Sequence, residues 1–458
     1  MKILLIAPAS GKWRNIGRAP VFNGRTFRFS LLSLLSVAAE TPPDIEVRIV
    51  DEQIDRVPWD DPVDLVGITC MTAAAPRAYE IAAQFRKRGV PVVLGGMHPS
   101  LCPEEASRHA DAVVAGDAEG LWPQVITEVC AGQSRGIYRN PSPPVLGGLK
   151  RPPRHLLRRR GYAPLAAVQA TRGCPHGCEF CSVAAFHRRV HRRRPVDEVA
   201  AEVASLPGRF FVFSDDNLMA NRAYARSLFA ALRPLRKRWV TQASLDTVED
   251  DAFVGLAAEA GCIGIFLGIE TFSAENLEAV RKNCNRVDRY RTAIRRLHAH
   301  GIGVEAGIVL GFPHDRPDVF EHTLRMLDEM EVDVVMPSIL TPLPGTPLFA
   351  QMGDRILDRD WTHYDFDHAV FQHPNMSTED LEAGQAWLTR EFYRPWRIAR
   401  RVWRHLRRPR ALAFLPFLAV VNVAFFGRVV HWHLRGWNPA RDAASGPIGI
   451  GPFARPAA

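Results

Sequence analysis

Short apolar runs alternate with amphipathic stretches through the first third of the chain. Lys2–Ala7, Glu46–Val50, Leu65–Thr69, Val90–Leu94 and Ala112–Ala115 have the length and β-branched content of buried strands. Between them lie stretches with helical spacing. In Pro76–Lys87, for example, Tyr79, Ile81, Ala82 and Phe85 can share one face. Strands alternating with helices predict a parallel sheet covered on both sides. A proline-rich, basic segment over 140–153 then reads as a connection.

A second alternating series follows. Leu165–Thr171, Phe210–Ser214, Val240–Ala243, Ile263–Leu267, Val304–Leu310 and Val332–Ile339 are strand candidates. A helix is predicted over Val196–Leu206, where Pro195 stands at the start and Pro207-Gly208 beyond the end. Six such units suit a partial barrel, with functional residues at the C-terminal ends of its strands. The predicted fold class is α/β: a Rossmann-like doubly wound domain, then a partial (β/α)6 barrel of the TIM type, then a mostly helical extension. The expected divisions are 1–147, a linker over 148–160, the barrel over 161–347 and the extension over 348–458.

The extension carries a Glu379–Tyr393 helix and Ala411–Gly427, seventeen residues without a formal charge. That run is shorter than the ~20 residues a spanning helix needs and contains Pro416 and Asn422. Arg407, Arg408 and Arg410 precede it, and Arg428, Trp432 and Trp437 follow. Such flanks predict a segment lying in a membrane interface, with a buried helix closing the barrel or a true span as the alternatives.

The 458 residues carry a net charge of +9, concentrated around His155–Arg160, His187–Arg194 and Arg394–Arg410. No interleaved aromatics or nucleic-acid module accompany these clusters, so a nucleic-acid partner is not expected. The opening MKILLIAPAS is too short in its apolar run for a signal peptide and predicts a cytoplasmic protein, peripheral on the inner membrane face if 411–427 meets lipid. Eight cysteines in a chain this long do not make a disulfide scaffold. Cys70, Cys102, Cys130, Cys262 and Cys284 are scattered and read as small buried hydrophobes. The other three cluster.

Those three lie in Thr171-Arg-Gly-Cys-Pro-His-Gly-Cys-Glu-Phe-Cys181. Cys174, Cys178 and Cys181 on a glycine-containing loop can face one centre, and thiolates are the usual ligands of Fe–S clusters. Structural zinc wants four closed ligands. No second cysteine pair follows at finger-like spacing, and His176, between two ligands, is badly placed to close a tetrahedron. Further on, Phe213-Ser-Asp-Asp-Asn217 ends one strand candidate, Gly268-Ile-Glu270 follows another, and Val309-Leu-Gly-Phe-Pro313 and Leu340-Thr-Pro-Leu-Pro-Gly-Thr346 end two more.

The ordered set resembles the radical SAM superfamily. The resemblance implies a 4Fe–4S cluster on Cys174, Cys178 and Cys181, with one iron open to S-adenosylmethionine (SAM). It places Phe180 beside the adenine, Asp215, Asp216 and Asn217 at the methionine ammonium, and Glu270 at the ribose or carboxylate. A helix N-cap is the alternative role for the acids.

A Rossmann-like domain ahead of such a barrel resembles the cobalamin-binding subfamily. Val93-Leu-Gly-Gly-Met-His-Pro-Ser100 and Ala115-Gly-Asp-Ala-Glu-Gly120 would surround the cofactor, through Gly95, Gly96, Gly116 and Glu119. The Asp-x-His-x-x-Gly motif that supplies a cobalt-ligating histidine elsewhere is absent, and Asp51-Glu-Gln-Ile-Asp55 stands in its region. That departure argues against a lower histidine ligand, and His98 reads better as a polar contact; a Rossmann unit that binds substrate or is vestigial, without a corrinoid, is the alternative.

The implied function is reductive cleavage of SAM to a 5′-deoxyadenosyl radical, for cobalamin-dependent C-methylation of an unactivated carbon in a small, hydrophobic molecule. The electron would come from a flavodoxin- or ferredoxin-type donor. A radical cyclisation, rearrangement or sulfur insertion without methyl transfer is the alternative, and a non-catalytic Fe–S or corrinoid carrier is the reading from another class. Tyr290, Glu305, His363, Tyr364 and His368 are polar or aromatic candidates for the cavity, with ordinary packing equally open to them.

Overall fold

The computed structural model describes residues 1–10, 31–157, 162 and 165–434. Two parallel six-stranded sheets organise them. The first holds β1 (Lys2–Ala7), β2 (Glu46–Asp51), β3 (Leu65–Thr69), β4 (Val92–Gly95), β5 (Ala112–Val114) and β6 (Gly136–Tyr138), in the order β2-β1-β3-β4-β5-β6. Both faces are covered. Ile81, Ala82 and Phe85 pack on one side, Leu34, Trp122 and Val125 on the other. The order reverses between β1 and β3, which opens a crevice beyond the strands' C-terminal ends.

The remaining strands are β7 (Ala166–Val168), β8 (Thr171–Arg172), β9 (Arg192–Arg193), β10 (Phe210–Phe213), β11 (Arg238–Ala243), β12 (Cys262–Glu270), β13 (Gly303–Leu310) and β14 (Val334–Ile339). The second sheet runs β14-β13-β12-β11-β10-β7, all parallel, so it is a partial barrel as expected. Two differences from the sequence reading have physical causes. Leu165–Thr171 is not one strand, because β7 stops at Val168. The buried carboxylate of Asp215 takes the backbone amides of Ala170 and Thr171, and Thr171–Arg172 pairs antiparallel with Arg192–Arg193. The 411–427 run is also not free to lie in lipid on all sides. It enters a helix over Leu415–Leu434, and Phe414, Leu418 and Val421 are buried against Ile263 and Val334 at the floor of the barrel.

Asn422, polar within that run, accepts at 2.7 Å from the buried Arg401 guanidinium, tying this helix to Pro395–Leu406. Leu412, Val420 and Val423 on the other face are exposed. Among the described residues, no helix is long and apolar enough to cross a membrane. Arg158–Arg160, Trp437 and the side chains of Arg428 and Trp432 lie outside the described residues.

Candidate functional site

The cysteine loop leaves the top of the barrel between β8 and a short helix, Ser182–Phe186. Gly173 begins it with φ +83°, and a Cβ there would meet the Val190 carbonyl oxygen at 2.2 Å. Only glycine fits so close an approach. The loop is held from several sides. Asp215 is fully buried, accepts from the Thr171 hydroxyl at 2.7 Å, and has its pKa pushed up to about 7 by burial. Asp216 accepts from the Gly173 amide at 2.8 Å. Glu179 receives Gln351 at 2.9 Å and Arg281 at 3.0 Å. Both oxygens of Asp215 are therefore engaged by the chain itself, while Asn217 turns into the site.

The Asn217 amide nitrogen reaches Cys174 Sγ at 3.7 Å and Ser244 Oγ at 2.9 Å, and His176 Nε2 lies 3.3 Å from the same hydroxyl. The Asn217 carbonyl oxygen is buried without a partner. An acceptor left open beside a thiol suits an ammonium, the group that SAM would present. Burial raises the thiols of Cys174 and Cys181, so binding a metal centre as thiolates would be accompanied by loss of their protons.

On the other side of the loop, Phe180 packs edge-on to Phe312 with ring centres 6.0 Å apart, and Lys282 Nζ stands 6.0 Å above its ring. Lys282 is bound to Glu270 at 2.7 Å. Burial works against its ammonium, but Glu270, Cys178 and Cys284 keep it firmly charged. Glu270 ends β12 at φ +64°, a backbone conformation a non-glycine residue adopts at a cost of about 1–3 kcal/mol.

Cys284 is buried, as expected of a small apolar residue, and its thiol donates to Asn285 Oδ1 at 3.7 Å. Lys282 escaped the sequence reading because it follows β12 in a segment without a motif. Tyr290 and Tyr364 are buried and donate to the backbone carbonyls of Ile269 and Asp358. His363 and His368 are held by Asp358 and Asp365.

Between the two sheets lies a cavity of about 450 Å³. Gly95, Gly96, Gly116 and Glu119 line it from the first sheet, and Gln169, Arg172, His187 and Ser214 from the barrel. Gly96 has φ +96°, and a Cβ on it would come within 2.5 Å of Thr69 Oγ1, so bare backbone faces the occupant there. Leu5, Gly67, Val93, Val114 and Trp122, from the core of the first sheet, line it as well. These residues fit cobalamin.

Glu119 is tied at 2.6 Å to Arg172, which also binds Asp117 at 2.7 Å; Asp117 in turn holds Arg192 at 2.7 Å. This network joins the cavity to the cysteine loop; the sequence shows Arg172 and Asp117 only as members of two separate motifs, and their pairing comes from the fold. His98 does not line the cavity. Its ring is buried elsewhere, 3.2 Å from Tyr79 Oη and 3.3 Å from Glu105.

Comparison with known proteins follows the same division. The radical SAM superfamily model matches residues 168–327, and the B12 binding domain model matches 36–126. The chain thus combines a radical SAM domain with a B12 binding domain. It is 29% identical over 387 residues to bacteriochlorophyllide d C-12(1)-methyltransferase of Chlorobaculum tepidum, covering 81% of this chain and 84% of that protein. It is 27% identical over 334 residues to the hopanoid C-2 methylase of Rhodopseudomonas palustris, covering 70% and 63%. The structure of the radical SAM methyltransferase TsrM from Kitasatospora setae superposes with a TM-score of 0.63 at 18% identity, covering 78% of this chain and 76% of that one, and shares its fold.

The protein is a radical SAM enzyme with methyltransferases among its relatives. Its cofactors are a 4Fe–4S cluster, SAM and cobalamin.

Proposed function

We propose that this enzyme methylates an unactivated carbon of a hydrophobic polycyclic molecule, with a tetrapyrrole of the bacteriochlorophyllide d kind as its substrate. Cys174, Cys178 and Cys181 hold the cluster. Asn217 receives the methionine ammonium, Phe180 lies against the adenine, and Glu270 meets the ribose or carboxylate. Asp215 and Asp216 act through the loop they brace. Gly95, Gly96, Gly116 and Glu119 bound the cobalamin site, and the working divisions are 1–147, 161–347 and 348–458.

One observation carries the reading: a single cavity has glycine backbone from the first sheet on one wall and, on the other, Arg172, two residues before Cys174. When bound, the cluster supplies the electron that cleaves SAM, and cobalamin carries the methyl group. The chain's own residues orient and shield these groups. The Arg172 network fixes the cavity wall against the cysteine loop, the Asn217 carbonyl points an acceptor at SAM, and the closed barrel floor under Phe414 keeps water from entering below. The two relatives act on bacteriochlorophyllide and hopanoid, and this supports a polycyclic, apolar substrate.

Contact with a membrane surface belongs to the same proposal. Trp396, Trp403 and Leu406 are exposed beside Leu412, Val420 and Val423, and Arg400 and Arg407 lie over the two indole rings. Apolar and aromatic groups set among arginines suit an anionic lipid interface. A flavodoxin- or ferredoxin-type donor supplies the electron.

The test is anaerobic incubation of the reconstituted enzyme with bacteriochlorophyllide d, SAM and a strong reductant. The reading expects a pigment one methylene heavier, with both S-adenosylhomocysteine and 5′-deoxyadenosine. 5′-Deoxyadenosine without methylated product would leave radical chemistry lacking methyl transfer, and neither product would leave a carrier.

A further inference from the structure

Strand periodicity in β13 sorts its side chains into two sets. Val304, Ala306 and Ile308 are wholly buried in the layer between the sheet and its helices. Gly303 and Gly307 face the other way, into the barrel. A Cβ on Gly303 would meet the Phe414 ring at 2.1 Å, and one on Gly307 would meet the Phe266 ring at 2.7 Å. Glu305 stands between these two glycines, so its side chain enters the lumen with theirs.

Its level in the lumen is defined by register. Glu305 pairs with Phe266 on β12 and Val334 on β14, and Phe266 pairs with Gln242 on β11. Phe414 closes the floor one layer below. Met336 and Gln242, also on the lumen side, are exposed, so the lumen is open to an incoming molecule. In an ordinary barrel such layers are filled by branched side chains. Here glycine occupies two lumen positions on β13, and a carboxyl occupies the one between them.

Among the described residues, nothing hydrogen-bonds or pairs with that carboxyl. Burial alone acts on it and raises its pKa to about 7. The nearby acids behave otherwise. Asp215 is bound by Ala170 and Thr171, Asp315 by Asn276 and two backbone amides, and Glu270 by Lys282. A half-buried carboxyl that no other described group of the protein binds adds nothing to folding, so Glu305 is a poor choice for structure.

We propose that Glu305 is the residue by which the barrel recognises a hydrogen-bonding atom, a hydroxyl, N–H or carbonyl, on an otherwise apolar substrate. Its immediate neighbours (Phe266, Val334 and the Phe414 floor) are apolar and Gln242 is one strand further on, so this carboxyl fixes which edge of the substrate points down and hence which carbon is presented above. The inference deepens the proposed methyl transfer and rests on the barrel lumen being the substrate site.

Its test is equilibrium binding of bacteriochlorophyllide d to the anaerobically reconstituted full chain, followed by pigment absorbance, for the parent, Glu305→Gln and Glu305→Leu. Iron and cobalamin content and thermal denaturation report whether each variant is folded and loaded. The expected result is a Kd raised at least tenfold in Glu305→Leu and by a smaller factor in the isosteric Glu305→Gln, which keeps a donor and an acceptor. Kd values within twofold of the parent in both folded variants would overturn the role of Glu305 and leave the proposed function standing. Failure of the parent itself to bind the pigment would overturn the substrate reading, and this inference with it.

Discussion

Arg172 and Glu119 lie 2.6 Å apart in a buried ion pair that links the loop after β5 to the strand leading into the cysteine loop. One guanidinium thereby registers two cofactor environments against each other, since Asp117 occupies its second nitrogen. Arg172→Ala leaves the buried Glu119 carboxylate without its cation, while Asp117 keeps Arg192. Breaking a buried pair in this way costs about 3–5 kcal/mol. The expected outcome is a loss of that size in urea denaturation and a weaker hold on cobalamin. Conservative Arg172→Lys recovers only part, because lysine cannot present the planar fork.

Asp333 makes a comparable junction beneath the barrel. It accepts from His298 at 2.8 Å and His405 at 2.7 Å, joining the start of β14 to the C-terminal helices. Burial opposes its charge, but the two histidines hold its carboxyl well below the usual carboxylate range. Its stabilising contribution is therefore complete above the unfolded value of about 3.9 and is lost as pH falls towards its folded value. Asp333→Ala is expected to lower stability by about 3–5 kcal/mol at pH 7. The difference from the parent should shrink on acidification below pH 4, as measured by chemical denaturation.

The sign reverses at Glu305. Its folded pKa of about 7 exceeds the unfolded value of about 4.3, so the folded state holds a proton that the unfolded chain releases. Raising the pH across that window favours unfolding. Glu305→Gln removes the titration, so the variant should gain on the parent between pH 5 and pH 8 by an amount on the order of 1–3 kcal/mol. Parallel stability curves for the two proteins would contradict the burial of this acid.

The exposed face of the C-terminal helices predicts binding to anionic vesicles. The full chain should sediment with liposomes containing phosphatidylglycerol and much less with phosphatidylcholine alone. Trp396→Ala combined with Trp403→Ala should weaken that binding severalfold without lowering stability, because both indoles are exposed. Sedimentation independent of these residues would assign the face elsewhere.

Much of this architecture is legible in the sequence, because strand runs in an α/β protein are apolar, short and punctuated. Lys2–Ala7 and Leu65–Thr69 fall on their strands residue for residue. Gly136–Tyr138 escaped because three residues bounded by polar turns carry no period. The break after Val168 escaped because its cause, the Asp215 carboxylate, lies 45 residues away in the chain. The same limit applies at the site. The cysteine spacing is local and readable, whereas Lys282, Cys284 and the Arg172 network meet it only through the fold. Asn422 read as a flaw in an apolar run, yet it is the acceptor that a buried Arg401 requires.

The central claim is that three sulfurs on one loop bind a cluster that turns SAM into a radical source. The most direct measurement is iron and sulfide content with 5′-deoxyadenosine formation, on anaerobically reconstituted parent and on the triple variant Cys174→Ala, Cys178→Ala, Cys181→Ala. The account predicts about four irons per chain and reductant-dependent 5′-deoxyadenosine in the parent, with both lost in the variant. Iron retained after all three substitutions, or zinc in the parent with no cleavage of SAM, would contradict it.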